Sequence, residues 1–372
     1  MNEKIAALEK FLKLRNWKGG LITSRQNIFY LTGFDYEPHE RFVGIFVFPG
    51  RSPLIVLPEM ELKMLLEAGW RYEYICYKDS DNVWRMITEH LKENISMITE
   101  FAVEETFISL KYVRMLQQIL PNIQLQNLDE ALSEMRIRKS PEEIKKLRIA
   151  AQYADNAIQT GIDALYEGVS ELEVLGEIEY KLKKAGLRDM SFSTMVLFGS
   201  NSSNPHGVPG ENKLQPGDTV IFDLGVKYQG YCSDITRTFV FKELRDEVKE
   251  IYDLVLKANM AALQECKAGN KMRKIDEAAR KVISDGGFAE YFPHRIGHGL
   301  GIEVHEEPSL HAENEDFLRE GMVLTVEPGI YIPGVGGVRI EDDVVIGEEG
   351  IEILTKFQKS MQIVKSKFVL KE

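Results

Sequence analysis

Four carboxylates in the second half of the chain stand where a strand pattern is otherwise apolar. Asp223 interrupts V-I-F-D-L-G-V, and Asp234 follows eleven residues later in C-S-D-I-T-R-T-F. Glu327 closes the run V-L-T-V-E-P-G, and Glu341 precedes the apolar stretch of G-V-R-I-E-D-D-V-V-I. A carboxylate on a buried strand is costly unless it is paired, hydrogen-bonded or bound to a metal. One such acid is ordinarily a paired structural acid, whereas four in one region point to a shared site. The segment H-R-I-G-H-G-L-G-I-E-V-H-E adds His294, His298 and His305 among glycines, in a chain with only seven histidines. Hard carboxylates with one imidazole suit manganese, cobalt, iron or zinc better than thiol-loving metals. Four acids and a histidine are too many for a single catalytic zinc and suit two divalent ions sharing bridging carboxylates.

These residues must be positioned by a fold. Thr219 to Val226 and Tyr231 to Phe241 read as strands flanking the turn Lys227 to Gly230, an apparent hairpin. Met322 to Glu327 and Gly337 to Ile346 read as two more strands. Helices begin at Ser140-Pro141-Glu142-Glu143 and at Ser170 to Glu173, where serine and glutamate form capping boxes. Two further amphipathic helices are expected from about Leu244 to Cys266 and from Ile275 to Ile283. Helices on a largely antiparallel sheet make this region α+β. Upstream, strand runs at Gly20 to Thr23, Phe42 to Phe48, Leu54 to Leu57 and Tyr72 to Tyr77 alternate with helical patterns at Asp81 to Leu91 and Lys111 to Ile119. That is an α/β domain without a ligand cluster or a phosphate-type glycine loop. The expected division is 1–132 and 133–372.

The order Asp, Asp, His, Glu, Glu, with the His294 to Glu306 run, E-P-G and R-I-E-D-D, resembles the proline-directed branch of the pita-bread metallopeptidases. That branch includes Xaa-Pro dipeptidase (prolidase) and aminopeptidase P. The resemblance covers residues 140 to the end. It implies a pita-bread catalytic domain with a curved sheet, and the first domain resembles the creatinase type in length and pattern, with L-T-G-F at Leu31 to Phe34. It implies two divalent metal ions per subunit, manganese foremost, with cobalt, zinc or iron as alternatives. Asp223, Asp234, His298, Glu327 and Glu341 would be their ligands, Asp234 and Glu341 bridging. His206 in S-N-P-H-G, His294 and His305 would face the substrate. Metal-bound hydroxide would be the nucleophile and Glu327 the proton shuttle, with His206 and His305 assisting. The segment F-G-S-N-S-S-N-P-H-G is more polar than the version expected in that branch. Arg339 lies two residues before Glu341 and is expected on the same strand and face, steadying the site through an acid–guanidinium hydrogen bond and lining the substrate pocket.

The implied substrate is an Xaa-Pro dipeptide, with aminopeptidase P activity on longer proline-containing peptides as the alternative. A non-enzymatic binding module on the same fold would have lost ligands, and creatinase-like or lyase chemistry is the remaining option. Net charge is −12 over 372 residues, and an acidic balance argues against nucleic acid or anionic membrane as partner. Three separated cysteines, Cys76, Cys232 and Cys266, fit a reducing compartment. With no signal-peptide pattern and no transmembrane-length run, the cytoplasm is expected. A homodimer is expected as well. The polar and aromatic loop Gly33 to Arg41 is a candidate to reach the active-site mouth, its own or a partner subunit's, and so limit peptide length.

Overall fold

The computed structural model describes residues 2–37, 39–92 and 98–365. The chain divides into two compact units, Met1–Arg136 and Ile137–Glu372. The first is built on a six-stranded sheet of β1 (Gly19–Ile22), β2 (Gly44–Val47), β3 (Leu54–Pro58), β4 (Glu73–Tyr77), β5 (Glu100–Val103) and β6 (Gln124–Asn127), ordered β4-β3-β2-β1-β5-β6. β1 and β3 each pair antiparallel with β2, and β4, β5 and β6 join in parallel, to β3, β1 and β5 respectively. Its helices are α1 (Glu3–Leu14), α2 (Arg25–Thr32), α3 (Leu62–Glu67), α4 (Val83–Leu91), α5 (Leu110–Ile119) and α6 (Asp129–Ile137). The apolar spacing of Ile5, Leu8 and Leu12 buries one face of α1 completely. The last two strands escape a hydrophobicity reading for a physical reason. Q-L-Q-N of β6 is an edge strand with no fully buried residue, and β5 is only four residues long. In the loop Gly33 to Arg41, Pro38 lies outside the described residues. Phe34 and Tyr36 are buried and stacked at 4.6 Å, and Arg25 pairs with Asp35 and Glu37.

The second unit opens with α7 (Pro141–Asp163) and α8 (Glu171–Lys184), each started by the expected serine–glutamate capping box. One sheet is ordered β20-β12-β9-β8, made of β8 (Met195–Phe198), β9 (Thr219–Leu224), β12 (Ile235–Phe241) and β20 (Ile363–Val364). A second is ordered β14-β13-β15-β18-β19, made of β13 (Gly297–Gly299), β14 (Glu306–Leu310), β15 (Val323–Val326), β18 (Asp342–Ile346) and β19 (Ile351–Ile353). Two small sheets complete it: β7 (Asp189–Met190) with β10 (Val226–Tyr228) and β11 (Tyr231–Cys232), and β16 (Gly329–Ile332) with β17 (Gly336–Arg339). α9 (Asp246–Glu265) and α10 (Arg273–Asp285) share an apolar core with the second sheet, while α7 and α8 share another with the first. Apart from one parallel pair, β12 with β20, the two larger sheets are antiparallel. Among the described residues no helix is long and apolar enough to cross a membrane.

Candidate metal centre

Asp223 lies on β9 and pairs with Thr236 on β12; the pairing runs as far as Leu224 with Ile235. Asp234 therefore falls one step past the ladder, opposite Gly225. Side chains alternate along a strand, so Asp223 and Asp234 are diagonal neighbours on one face. Gly225 is the residue that permits this. A Cβ there would stand 1.9 Å from the Ser233 carbonyl oxygen. The hairpin continues beyond the break as β10 and β11, with Lys227 opposite Cys232.

His298 comes from β13, and Glu327 follows the last residue of β15. The expected single strand Gly337 to Ile346 is in fact two. β17 ends at Arg339 and β18 begins at Asp342, so Glu341 sits in the two-residue link and Arg339 is on a different strand. The break frees β17 to pair with β16 and β18 to pair with β15. It still leaves Arg339 and Glu341 facing one cavity.

That cavity has a volume of about 390 Å³. Asp223, Asp234, His298, Glu327, Glu341, His206, His294, His305 and Arg339 all line it, as do Arg295, Phe192, Met195, Pro205 and Val304. One ligand atom each from Asp234, His298 and Glu341 lies within 4.8 Å of the others. The imidazole of His298 faces Glu327 Oε1 at 3.5 Å and Asp234 Oδ2 at 3.8 Å through Nε2. Its Nδ1 is 3.0 Å from the Gly299 carbonyl oxygen, which can only accept. We therefore place the proton on Nδ1, which leaves the Nε2 lone pair pointing at two carboxylates. Burial holds this histidine neutral, with its pKa pushed down to about 3.

A lone pair facing ionised carboxylates is repulsive unless a proton or a metal cation lies between them. Among the described residues the buried Oδ1 atoms of Asp223 and Asp234 also find no hydrogen-bond partner. The donor set thus fits divalent metal. Burial, with neighbouring carboxylates, raises the Asp234 and Glu341 carboxyls well above their usual range. Burial pushes Glu327 up to about 7, and the nearby Arg339 opposes that rise. Glu327 keeps 18 % of its side chain open, so its desolvation is partial.

The surroundings fix these groups. Arg339 donates to Asp223 Oδ2, to the Tyr331 hydroxyl at 2.7 Å and to Thr236 Oγ1 at 3.1 Å. The Tyr331 hydroxyl lies 2.9 Å from His294 Nε2, and His294 Nδ1 lies 2.8 Å from the Arg295 carbonyl oxygen. Thr236 Oγ1 donates to Glu341 Oε2 at 2.7 Å. His305 is exposed, its ring edge-on to His298 with centroids 4.2 Å apart. Next to it, Glu306 forms a buried ion pair with Lys139 at 3.3 Å and accepts from the Glu303 amide at 3.0 Å.

Several contributors carried no sequence assignment. Asp343 accepts from the Asp234 amide at 3.0 Å, while Asp342 pairs with the buried Arg237 at 2.9 Å and with Lys359 at 2.7 Å. Their signal was available: in R-I-E-D-D, alternation sends residues 341 and 343 one way and 342 the other. Tyr331, Thr236 and Lys139 gave no such signal, since each becomes informative only through a partner distant in sequence.

Comparison with known proteins places this geometry in a family. Residues 145–348 match metallopeptidase family M24, and residues 4–138 match the creatinase/prolidase N-terminal domain. The chain is 46 % identical over 360 residues to YkvY of Bacillus subtilis, a protein provisionally named a dipeptidase, covering 97 % of this chain and 99 % of that one. It is similar to the structure of an Xaa-Pro dipeptidase from Bacillus anthracis, with TM-score 0.90 and 34 % identity over 97 % of this chain and 99 % of the other. It is also similar to that of an X-Pro aminopeptidase from Thermotoga maritima MSB8, with TM-score 0.86 and 31 % identity over 95 % and 99 %. The expected fold, a pita-bread catalytic domain after a smaller creatinase-type domain, is borne out.

Proposed function

We propose, from the fact that this chain belongs to metallopeptidase family M24, that it hydrolyses the peptide bond preceding proline in Xaa-Pro dipeptides, with two divalent ions bound and as a cytoplasmic homodimer. The observation that carries the metal part is the convergence of Asp223, Asp234, His298, Glu327 and Glu341 on one cavity with unpaired, buried acceptor atoms. These five would hold the ions, manganese foremost, with Asp234 and Glu341 shared between them. When bound, the ions supply Lewis acidity and make a water ionise near neutral pH.

The chain's own groups do the rest. Glu327, at the cavity with part of its side chain open, accepts a proton from the attacking water and carries it to the departing nitrogen. His305, exposed beside His298, orients and hydrogen-bonds the carbonyl oxygen as it gains charge. His206, also exposed at the cavity, holds the substrate, and His294, whose ring nitrogens are engaged by Tyr331 and the Arg295 carbonyl, lines the substrate side of the cavity. Arg339 fixes the orientation of Asp223 through its fork.

An Xaa-Pro bond offers no N–H at the proline nitrogen, so recognition there rests on shape and apolar contact. Phe192, Met195, Pro205 and Val304 supply such a lining. The likeness to the Bacillus anthracis dipeptidase supports this substrate class, and a cavity at the small end of small-molecule sites supports a short peptide. The likeness to the Thermotoga maritima aminopeptidase favours a second reading, removal of one residue from longer peptides. Assay against matched Xaa-Pro dipeptides and Xaa-Pro-Xaa tripeptides separates them. Turnover of the dipeptides alone supports the dipeptidase, tripeptide preference supports the second reading, and turnover of neither removes both.

A further inference from the structure

The loop between β8 and β9 carries His206, and its polar sequence is not solvent-driven. It is organised around one carboxylate. Glu171, the first residue of α8, is fully buried. Its Oε1 accepts from the Phe198 amide at 2.7 Å and from Asn201 Nδ2 at 3.0 Å. Its Oε2 accepts from Asn201 Nδ2 at 3.0 Å, the Gly210 amide at 2.8 Å and Asn212 Nδ2 at 3.1 Å. Asn201 in turn donates to the Val208 carbonyl oxygen at 3.1 Å. One anion thus gathers the beginning, middle and end of the segment 198–212.

All of these donors are neutral. A buried carboxylate held, among the described residues, by neutral donors is an expensive way to hold a loop, even with the α8 N-terminus in its favour. What that arrangement secures is position. The far side of the same loop is fixed through Ser202, whose Oγ accepts from the Gly337 amide at 2.8 Å, two residues before Arg339. Ser202 also exchanges a hydrogen bond with Thr219 on β9 at 2.7 Å. Pro205 and His206, between these anchors, are the loop's contribution to the cavity.

We propose that Glu171 is a positioning residue for the substrate-side His206, acting through Asn201 and the Gly210 amide. The proposal rests on the peptidase reading for the role of His206, but not for the loop geometry. Glu171→Gln presents an amide NH₂ to groups that are themselves donors, and Asn201→Ala removes the bridging donor from the loop side.

The test is a double-mutant cycle on the metal-loaded enzyme, with hydrogen exchange of residues 198–212 as a second readout. Each variant is expected to lower kcat/KM for an Xaa-Pro dipeptide by about 10- to 100-fold, to leave metal content unchanged, and to speed exchange in the loop. In a His206→Ala background the same substitutions should cost under about threefold, because the group they position is gone. Losses that multiply fully in that background overturn the proposal, as does unaltered exchange in the loop. If Glu171→Gln does not fold, Asn201→Ala carries the cycle by itself. If the wild-type enzyme cleaves no Xaa-Pro peptide, the functional reading fails while the exchange measurement still decides whether Glu171 holds the loop.

Discussion

His298 presents its unprotonated nitrogen to Glu327 at 3.5 Å and to Asp234 at 3.8 Å, too far for good hydrogen bonds. A cation resolves that geometry, and the assignment of ligands against helpers can be tested residue by residue. Asp234→Ala and Glu341→Ala should each lower metal occupancy at both positions by elemental analysis, since a shared carboxylate serves two ions. Loss of one ion only would remove the bridging assignment. His206→Ala and His305→Ala should behave differently. Both side chains are exposed, so both variants should keep their metal and lose turnover by about ten- to a thousand-fold if each makes one positioned contact to the reacting peptide. Metal loss in either would make that histidine a ligand.

At the scale of elements, the centre depends on interruptions in strands. Asp234 sits where the β9–β12 ladder stops, Glu327 just after β15, and Glu341 between β17 and β18. Gly225 makes the first interruption possible. Gly225→Ala would set a Cβ 1.9 Å from the Ser233 carbonyl oxygen and 2.9 Å from Ser191 Cβ, and neither the backbone nor the short side chain can withdraw easily. The variant should shift the segment bearing Asp234, lower metal content and lower the melting temperature. Full metal content with unchanged melting would show that the close approach does not position Asp234. The same interruptions explain what the sequence disclosed. The acids were conspicuous because they broke apolar patterns, and the helices α7 and α8 were marked by Ser140 and Ser170. The break at Ile340-Glu341 was hidden because no glycine or proline interrupts the chain from Val338 to Ile346, so one long strand read equally well. Glu171 and Lys139 were hidden because a buried ionic group is recognised by its partners. Those partners lie 27 to 41 residues away for Glu171 and 167 away for Lys139.

For the molecule as a whole, the metal centre makes stability depend on pH in a way that reports on the metal. In the metal-free fold, Asp234 and Glu341 are raised well above their ordinary values and Glu327 to about 7. The unfolded chain ionises these carboxyls near their ordinary values of 3.8 and 4.5. Above those values the unfolded state binds fewer protons than the folded state, so the carboxyls make stability fall as pH rises. His294 and His298, lowered by burial to about 4 and about 3, act oppositely. The unfolded state takes up their protons below about 6.5, so their contribution is lost as pH falls through that value and is complete above it. The two effects oppose each other at mildly acidic pH and separate above 6.5, where the histidine contribution levels off while the carboxyls still differ between states. Chelator-treated protein should therefore melt at lower temperature at pH 8 than at pH 6.5. Restoring manganese or cobalt should raise both values and raise the pH 8 value more, because bound cations favour the ionised carboxylates that burial disfavours. Thermal melts at the two pH values, with and without metal, decide it. A metal-free protein equally or more stable at pH 8 would mean that the carboxylates are already neutralised by groups within the chain, and the case for metal at this site would lose its electrostatic basis.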